Sequence, residues 1–182
     1  MKKYAAQPLK NKKDIKAVEN YLKNKSKRDY TIWVLGLNSG LRVSDIINLN
    51  VEDVKNKTHI TIIEKKTKKV KSFYINSKLK NVLNEFIKNR EAKEPLFLGK
   101  QGKRLNRKEV YRFIINACIS LGINTKVSTH TMRKTFGYHH YQQYKDAVIL
   151  QKIFNHSSQR ITLIYIGIEQ DEIDWSYKHF EL

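Results

Sequence analysis

Residues 129–140, THTMRKTFGYHH, begin what the pattern predicts to be a helix with two functional side chains in its first turn. His130 and Arg133 are three positions apart, so they lie on one face of that helix near its amino terminus. The positive end of the helix dipole and the guanidinium group both favour an anion there. A lone His-x-x-Arg pair is also compatible with a helix cap or a surface ion pair. Partners elsewhere in the chain must decide between these interpretations.

The segment 154–167, FNHSSQRITLIYIG, supplies a histidine in a turn and a tyrosine nine residues later. Asn155 precedes His156 and tolerates the left-handed backbone that such a turn needs. Tyr165 follows a short predicted helix. A phenol with a pKa near 10 is a poor nucleophile, but nearby cations can stabilise its anion. The alternative is that Tyr165 packs in the core among the neighbouring isoleucines, and the segment alone leaves both open.

A third segment, SGLRVSDI at 39–46, places Arg42 where the chain emerges from a predicted buried helix that ends at Gly40. A guanidinium in this place can hold two phosphate oxygens at once. The alternative is an ion pair between Arg42 and Asp45, and the two are compatible because a paired carboxylate would fix the arginine.

Two β-branched and aromatic segments, THITIIE (58–64) and VKSFYIN (70–76), predict a β-hairpin with a lysine-rich connection. The connection begins EKKTKK (64–69). A flexible ammonium at a hairpin tip can donate a proton to a leaving oxygen. An ordinary solvated turn that contacts phosphates without specificity is the alternative.

The net charge of +19, from 36 Lys and Arg against 17 Asp and Glu, indicates a polyanionic partner, and nucleic acid fits best. Basic residues concentrate at the amino end and in the hairpin, whereas the last fourteen residues are acidic. The sequence shows neither a membrane-spanning run nor a signal peptide. Cys118 is the only cysteine. These features together favour a cytoplasmic protein without a disulfide framework.

The periodicity predicts a mainly α fold with one small antiparallel β-sheet, an α+β class. Asn106 and Glu109 have the spacing of a capping box at the start of one helix. The predicted helices span 12–24, 29–40, 43–49, 77–90, 106–121, 130–144, 146–154 and 158–165, with an amphipathic tail from about 171.

The order Arg, Lys, His-x-x-Arg, His and Tyr across these segments resembles the catalytic domain of the tyrosine recombinases, the phage integrase family. It resembles the type IB topoisomerases more remotely. The matching pieces are SGLRVSDI, the lysine hairpin, THTMRKTF and FNHSSQRITLIYI, and together they extend from about residue 8 to 170. The resemblance implies the catalytic-domain fold of that family and site-specific cleavage and rejoining of double-stranded DNA, as in phages and mobile elements.

The resemblance also implies a role for each matching residue. Tyr165 would attack the scissile phosphate and leave a 3′-phosphotyrosine and a free 5′-hydroxyl. Arg42 and Arg133 would clamp the non-bridging oxygens, and Lys66 would protonate the 5′-oxygen. His130 would exchange a proton with the nucleophile, and His156 would hydrogen-bond the phosphate. The resemblance implies no cofactor, no metal and no ATP.

Some positions depart from the family pattern. Lys134 stands where many relatives have a histidine, and Asn155 where many have a glycine. Because the hairpin lacks the glycine often found beside the lysine, Lys65 remains a rival to Lys66. His139 and His140 have no counterpart in the family and are predicted to be surface or packing residues.

The chain is expected to be a single catalytic domain over 1–182, with an amino-terminal segment at 1–10 and an acidic tail at 168–182. The usual amino-terminal DNA-binding domain of the family is expected to be absent. The apolar tail residues Ile173, Trp175, Tyr177 and Phe180 could fill a groove on a neighbouring copy, giving a homo-oligomer that becomes a tetramer on DNA. Packing on its own domain is the alternative.

Two other functions fit part of the pattern. Residues 146–167 resemble a helix-turn-helix, so a DNA-binding regulator without catalysis would explain the charge. A topoisomerase-like enzyme that relaxes DNA would share the chemistry but need no defined site.

Overall fold

The computed structural model describes residues 6–63, 70–99 and 102–181, and its secondary structure confirms the predicted mainly α fold with one two-stranded antiparallel sheet. The strands are β1 His59–Ile63 and β2 Val70–Tyr74. The helices are α1 Lys12–Lys25, α2 Lys27–Ser39, α3 Val43–Ile46, α4 Ser77–Phe86, α5 Arg107–Ser120, α6 Thr131–Tyr144, α7 Ala147–Phe154, α8 Gln159–Ile166 and α9 Ile168–Lys178.

Helix α2 is the centre of the fold, as its apolar sequence predicts. Trp33 is fully buried, and α2 packs against α1, α4 and α6. The helix ends at Gly40, which has a left-handed φ of 62°. A Cβ atom at Gly40 would lie 2.6 Å from Cδ1 of Phe136, so both the backbone angle and the close contact require glycine.

A smaller apolar cluster joins the carboxyl-terminal helices to α6. Its buried members are Leu150, Phe154, Ile166 and Ile168. Gly137 in α6 makes the close approach possible, since a Cβ atom there would lie 2.6 Å from Cζ of Phe154 and 2.7 Å from Cγ2 of Ile166. This packing places α7 and α8 against α6, the helix that begins just after His130.

The hairpin pairs His59 with Tyr74 at one end and Ile63 with Val70 at the other. Ile60 points into the main core and is fully buried. From β2, the Lys71 ammonium donates a hydrogen bond to the carbonyl of Ile153 in α7 at 3.0 Å. The part of the hairpin next to its connection is therefore attached to the segment that leads to His156.

Three predicted boundaries differ from the structure by more than two residues. The helix predicted at 77–90 ends at Phe86, and Asn89 beyond it has a positive φ of 63°. There Arg90 donates hydrogen bonds to the carbonyls of Pro95 and Leu96, which holds the chain in a turn. The helix predicted at 43–49 ends at Ile46, and the tail helix already begins at Ile168.

Within the described residues, no helix is long and apolar enough to cross a membrane.

Candidate active site

The hydroxyl of Tyr165, near the end of α8, meets His130 at the start of α6. The hydroxyl oxygen and the imidazole Nδ1 are 3.3 Å apart. The Tyr165 ring also lies edge-on to the rings of His156 and Phe154, with centroid separations of 5.1 and 5.6 Å. Tyr165 therefore satisfies both sequence interpretations, because its ring belongs to the carboxyl-terminal apolar cluster while its hydroxyl faces a polar site.

Arg133 in the first turn of α6 is almost completely buried, at 4% exposure. Its guanidinium donates hydrogen bonds to the carbonyls of Gly40 and Phe154, the latter at 2.9 Å, and lies 4.2 Å from the Phe154 ring centroid. These contacts join the ends of α2 and α7 to α6. Burying a guanidinium is costly unless its donors are satisfied, so this arginine is held in a fixed orientation.

The pKa of Tyr165 reflects two opposing effects. Burial raises the pKa of the phenol, whereas the charge of Arg133, a hydrogen bond from it and the charge of Arg42 lower it. Burial prevails, so the pKa lies above its ordinary value and the free protein holds a neutral phenol at pH 7. A base is therefore needed to remove the proton, and His130 is within reach of it.

Both histidines of the site are neutral at pH 7. Partial desolvation of the ring, in a residue that is otherwise exposed, lowers the pKa of His130, and the charges of Arg107, Arg133, Lys134 and Arg42 lower it further. Nδ1 of this neutral ring is therefore able to accept a proton from the Tyr165 hydroxyl.

Desolvation, followed by the charges of Arg133, Arg42 and Lys71, lowers the pKa of His156 to about 4. Its Nδ1 lies 3.1 Å from Oγ1 of the fully buried Thr162, a contact that fixes the ring.

Five of the six predicted site residues come together in this region. Arg42 is half-buried immediately before α3, where its charge acts on both histidines and on Tyr165. Lys66 and its rival Lys65 lie outside the described residues. The other four are His130, Arg133, His156 and Tyr165.

His139 and His140 lie farther along α6, away from this group. Nε2 of His139 is 2.9 Å from the carbonyl oxygen of Leu9. The ring of His140 packs between Phe136 and Tyr144. Both histidines therefore make the packing contacts expected of them from the sequence.

Several cations around the site were not predicted. Arg107 follows the α5 cap and acts on His130, and Lys71 acts on His156. Lys134 is only 9% exposed, and its Nζ lies 4.8 Å from the centroid of the Tyr165 ring. Its position directly after Arg133 was the only available signal, because its burial depends on how α8 packs against α6.

Comparisons with known proteins show which family the chain is similar to. The model of the phage integrase family matches residues 10–172. The probable integrase/recombinase YoeC of Bacillus subtilis (strain 168) is 43% identical over 178 residues, which is 97% of this chain and 98% of the relative. The tyrosine recombinase XerC of Thermodesulfovibrio yellowstonii is 28% identical over 78% of this chain and 50% of its own length.

A solved structure of the XerH site-specific recombinase bound to difH substrate, a post-cleavage complex, has a similar fold. The TM-score is 0.73 at 16% identity, over 96% of this chain and 53% of XerH. The chain thus spans nearly all of YoeC but about half of XerC and XerH. The chain belongs to the phage integrase family, the family of the tyrosine recombinases.

Proposed function

We propose that this protein is a site-specific DNA recombinase that cuts and rejoins DNA strands with Tyr165 as its nucleophile. The observation that carries the proposal is the meeting of the Tyr165 hydroxyl with His130 Nδ1 at 3.3 Å, beside the buried guanidinium of Arg133. A phenol, a neutral base and fixed positive charge are the groups that attack on a phosphodiester requires.

In the cleavage step, the Tyr165 oxygen attacks phosphorus and its proton passes to Nδ1 of His130. The bond between phosphorus and the 5′-oxygen breaks, leaving a 3′-phosphotyrosine. Lys66 supplies a proton to the departing 5′-oxygen, which becomes a hydroxyl. Because the covalent intermediate keeps the energy of the phosphodiester, attack by a 5′-hydroxyl rejoins the strand without ATP.

The cations of the site would stabilise the charge that builds on the non-bridging oxygens during this attack. Arg42, just before α3, and Arg133, in α6, both already lower the pKa of Tyr165 through their charge. His156 would donate a hydrogen bond to the phosphate through Nε2. Because Thr162 donates its hydroxyl hydrogen to the carbonyl of Ser158 at 3.2 Å, its oxygen accepts from Nδ1–H of His156, so the ring gains a proton at Nε2 when it meets the negative phosphate. Fixed donors of this kind act more strongly in the transition state than in the ground state.

Double-stranded DNA is the proposed partner, and the cytoplasm the proposed place of action. The net charge of +19 favours a polyanion, and the relatives include XerH bound to its difH substrate. The charge predicts binding that weakens steeply as salt rises.

We further propose that the end of α9 docks on a second copy when the protein assembles on DNA. The helix begins against its own domain, where Ile168 is buried and Lys10 pairs with Asp171. Farther along, the side chains are exposed and apolar: Ile173, Trp175, Tyr177 and Phe180 are 44%, 64%, 80% and 66% exposed. Exposed aromatic residues on one short segment are typical of an interface.

A DNA-binding regulator without catalysis is the second candidate. It is favoured by the arrangement of α7 and α8, which are joined by a short turn that begins at Asn155 in a left-handed conformation. Such a regulator has no need for a tyrosine hydroxyl beside a histidine.

Trapping of covalent DNA adducts tests the proposal against the regulator. The protein is mixed with sheared genomic DNA from its source, the reaction is stopped with detergent, and protein-bound fragments are sequenced, with Tyr165→Phe and, as a control at an exposed tyrosine, Tyr144→Phe in parallel. We expect fragments clustered at one sequence with wild type and Tyr144→Phe, and none with Tyr165→Phe. Equal recovery from all three proteins would overturn the assignment of Tyr165, and adducts without sequence preference would favour a relaxing, topoisomerase-like activity.

A further inference from the structure

Lys134 has an unusual environment for a lysine. It lies in the first turn of α6, is 9% exposed, and places its ammonium 4.8 Å from the centre of the Tyr165 ring. Among residues 6–63, 70–99 and 102–181, no carboxylate lies within ion-pair distance of this ammonium. Desolvation accordingly lowers the pKa of Lys134.

Burying an ammonium without a carboxylate partner raises the free energy of the folded state. Another contact of the Lys134 ammonium must therefore offset part of that cost. The face of an aromatic ring provides part of it, because its quadrupole attracts a cation and the attraction strengthens where water is excluded. The attraction grows further when the ring carries negative charge. A cation over the Tyr165 ring therefore stabilises the phenolate more than the phenol.

The surroundings explain why the ammonium acts on the ring. The hydroxyl end of Tyr165 faces His130 and the guanidinium of Arg133, while the ring packs edge-on to Phe154 and His156. Lys134 acts on a face of the same ring. Contacts to the hydroxyl, to the ring edge and to a ring face thus hold the Tyr165 side chain together.

We infer that Lys134 is a positioning residue for the nucleophile: its ammonium holds the Tyr165 ring and favours the phenolate that attacks DNA. This inference rests on the proposed function of Tyr165. In this inference the lysine acts through Tyr165.

The test measures the ionisation of Tyr165 directly, in the full chain without DNA. Fluorinated tyrosine, whose phenol ionises at lower pH, is incorporated throughout, and the Tyr165 fluorine signal is assigned by its loss in Tyr165→Phe. We expect Lys134→Met to move the titration midpoint of Tyr165 to higher pH and Lys134→Arg to leave it near that of wild type. Lys134→Gln gives the same comparison if the methionine variant does not fold.

Lys145 offers a matched control, since its ammonium lies 5.3 Å from the centre of the Tyr141 ring at the other end of α6. Lys145→Met should move the Tyr141 signal and leave Tyr165 unchanged, and Lys134→Met should do the reverse. An unchanged Tyr165 midpoint in both uncharged Lys134 variants would overturn the inference, including when DNA cleavage is lost, because that loss would then come from a phosphate contact or from packing.

A kinetic measurement separates this inference from the proposed function. On a DNA site recovered by adduct trapping, Lys134→Met should slow the cleavage step about tenfold at pH 7, with the rate recovering as pH rises. An equal loss at all pH values would contradict a role through the phenolate. If wild type forms no adduct at all, the proposed function fails, while the titration without DNA still decides whether Lys134 acts on Tyr165.

Discussion

Nδ1 of His130 lies 3.3 Å from the hydroxyl oxygen of Tyr165, although the two residues are 35 positions apart in the sequence. One stands at the start of α6 and the other near the end of α8, and the contact exists because the carboxyl-terminal apolar cluster holds these helices together. Burial keeps the phenol neutral, and partial desolvation together with the charges of the surrounding cations keeps the imidazole neutral. The pair is thus in the protonation state that proton transfer from tyrosine to histidine requires.

Protonation of His130 should lower the cleavage rate at acid pH. Removing the charge of Arg107 should make this loss of rate occur at higher pH. Arg107 is among the cations that lower the pKa of His130, so Arg107→Gln returns this pKa toward its ordinary value of about 6.5. The base is then protonated at a higher pH, and the rate at pH 6 relative to pH 8 should fall roughly twofold at low salt. Single-turnover cleavage across pH measures it. Arg112→Gln, on the same helix, is the control, and a shift of equal size there would contradict the assignment.

Arg133→Lys should destabilise the protein as well as inactivate it. A lysine cannot reproduce the two hydrogen bonds to the carbonyls of Gly40 and Phe154, so one or both of these acceptors lose their partner. The free energy of unfolding should fall by about 2 kcal/mol in urea titrations. Arg160→Lys, at a side chain that is 82% exposed, should have no effect. Equal stability of the two variants would show that the carbonyl contacts contribute little.

Gly137→Ala should disturb the site indirectly, through the packing of α7 and α8 against α6. The new methyl group would lie within 2.7 Å of Phe154 and Ile166, so α7 and α8 must move away from α6 at a cost of about 1–3 kcal/mol. Thermal unfolding measures the loss, and cleavage should fall with it. Combining Gly137→Ala with Phe154→Leu should cost less than the sum of the single changes. Strict additivity would rule out this contact as the cause.

His156 should make the stability depend on pH between about 4 and 6.5. The folded protein holds the pKa near 4, whereas the unfolded chain has the ordinary value of about 6.5. The unfolded state therefore binds more protons in this window, and stability rises with pH across it and is lost as pH falls. Urea unfolding at several pH values should show a flatter profile for His156→Asn than for wild type. His179→Asn, at an exposed residue directly after α9, should reproduce the wild-type profile, and a His156→Asn profile as steep as wild type would contradict the assignment.

The sequence predicted the features that depend on neighbouring residues. The Asn106–Glu109 capping box, the left-handed end of α2 at Gly40 and the left-handed Asn155 are all found, because short-range hydrogen bonds and backbone sterics decide them. The end of α4 was predicted too late, since the chain turns there under the influence of Arg90 and its contacts with carbonyls farther along.

Some features of the candidate site were likewise predictable from the sequence, and others depend on tertiary packing. The sequence itself shows that Arg133 lies three residues after His130 and that Tyr165 lies nine residues after His156. This order of residues resembles that of the tyrosine recombinases. The burial of Lys134 under the Tyr165 ring depends on the packing of α8 against α6. No local pattern distinguishes it from a solvent-exposed lysine.

The central claim is that Tyr165 forms the covalent bond to DNA, and mass spectrometry of the trapped adduct tests it most directly. After nuclease digestion, trypsin releases residues 161–178, a peptide that contains both Tyr165 and Tyr177. Fragmentation of this peptide should locate the residual nucleotide phosphate on Tyr165, with Tyr177 unmodified. A nucleotide on Tyr177 or on a different peptide, or recovery of only the unmodified peptide from DNA-bound protein, would contradict the account.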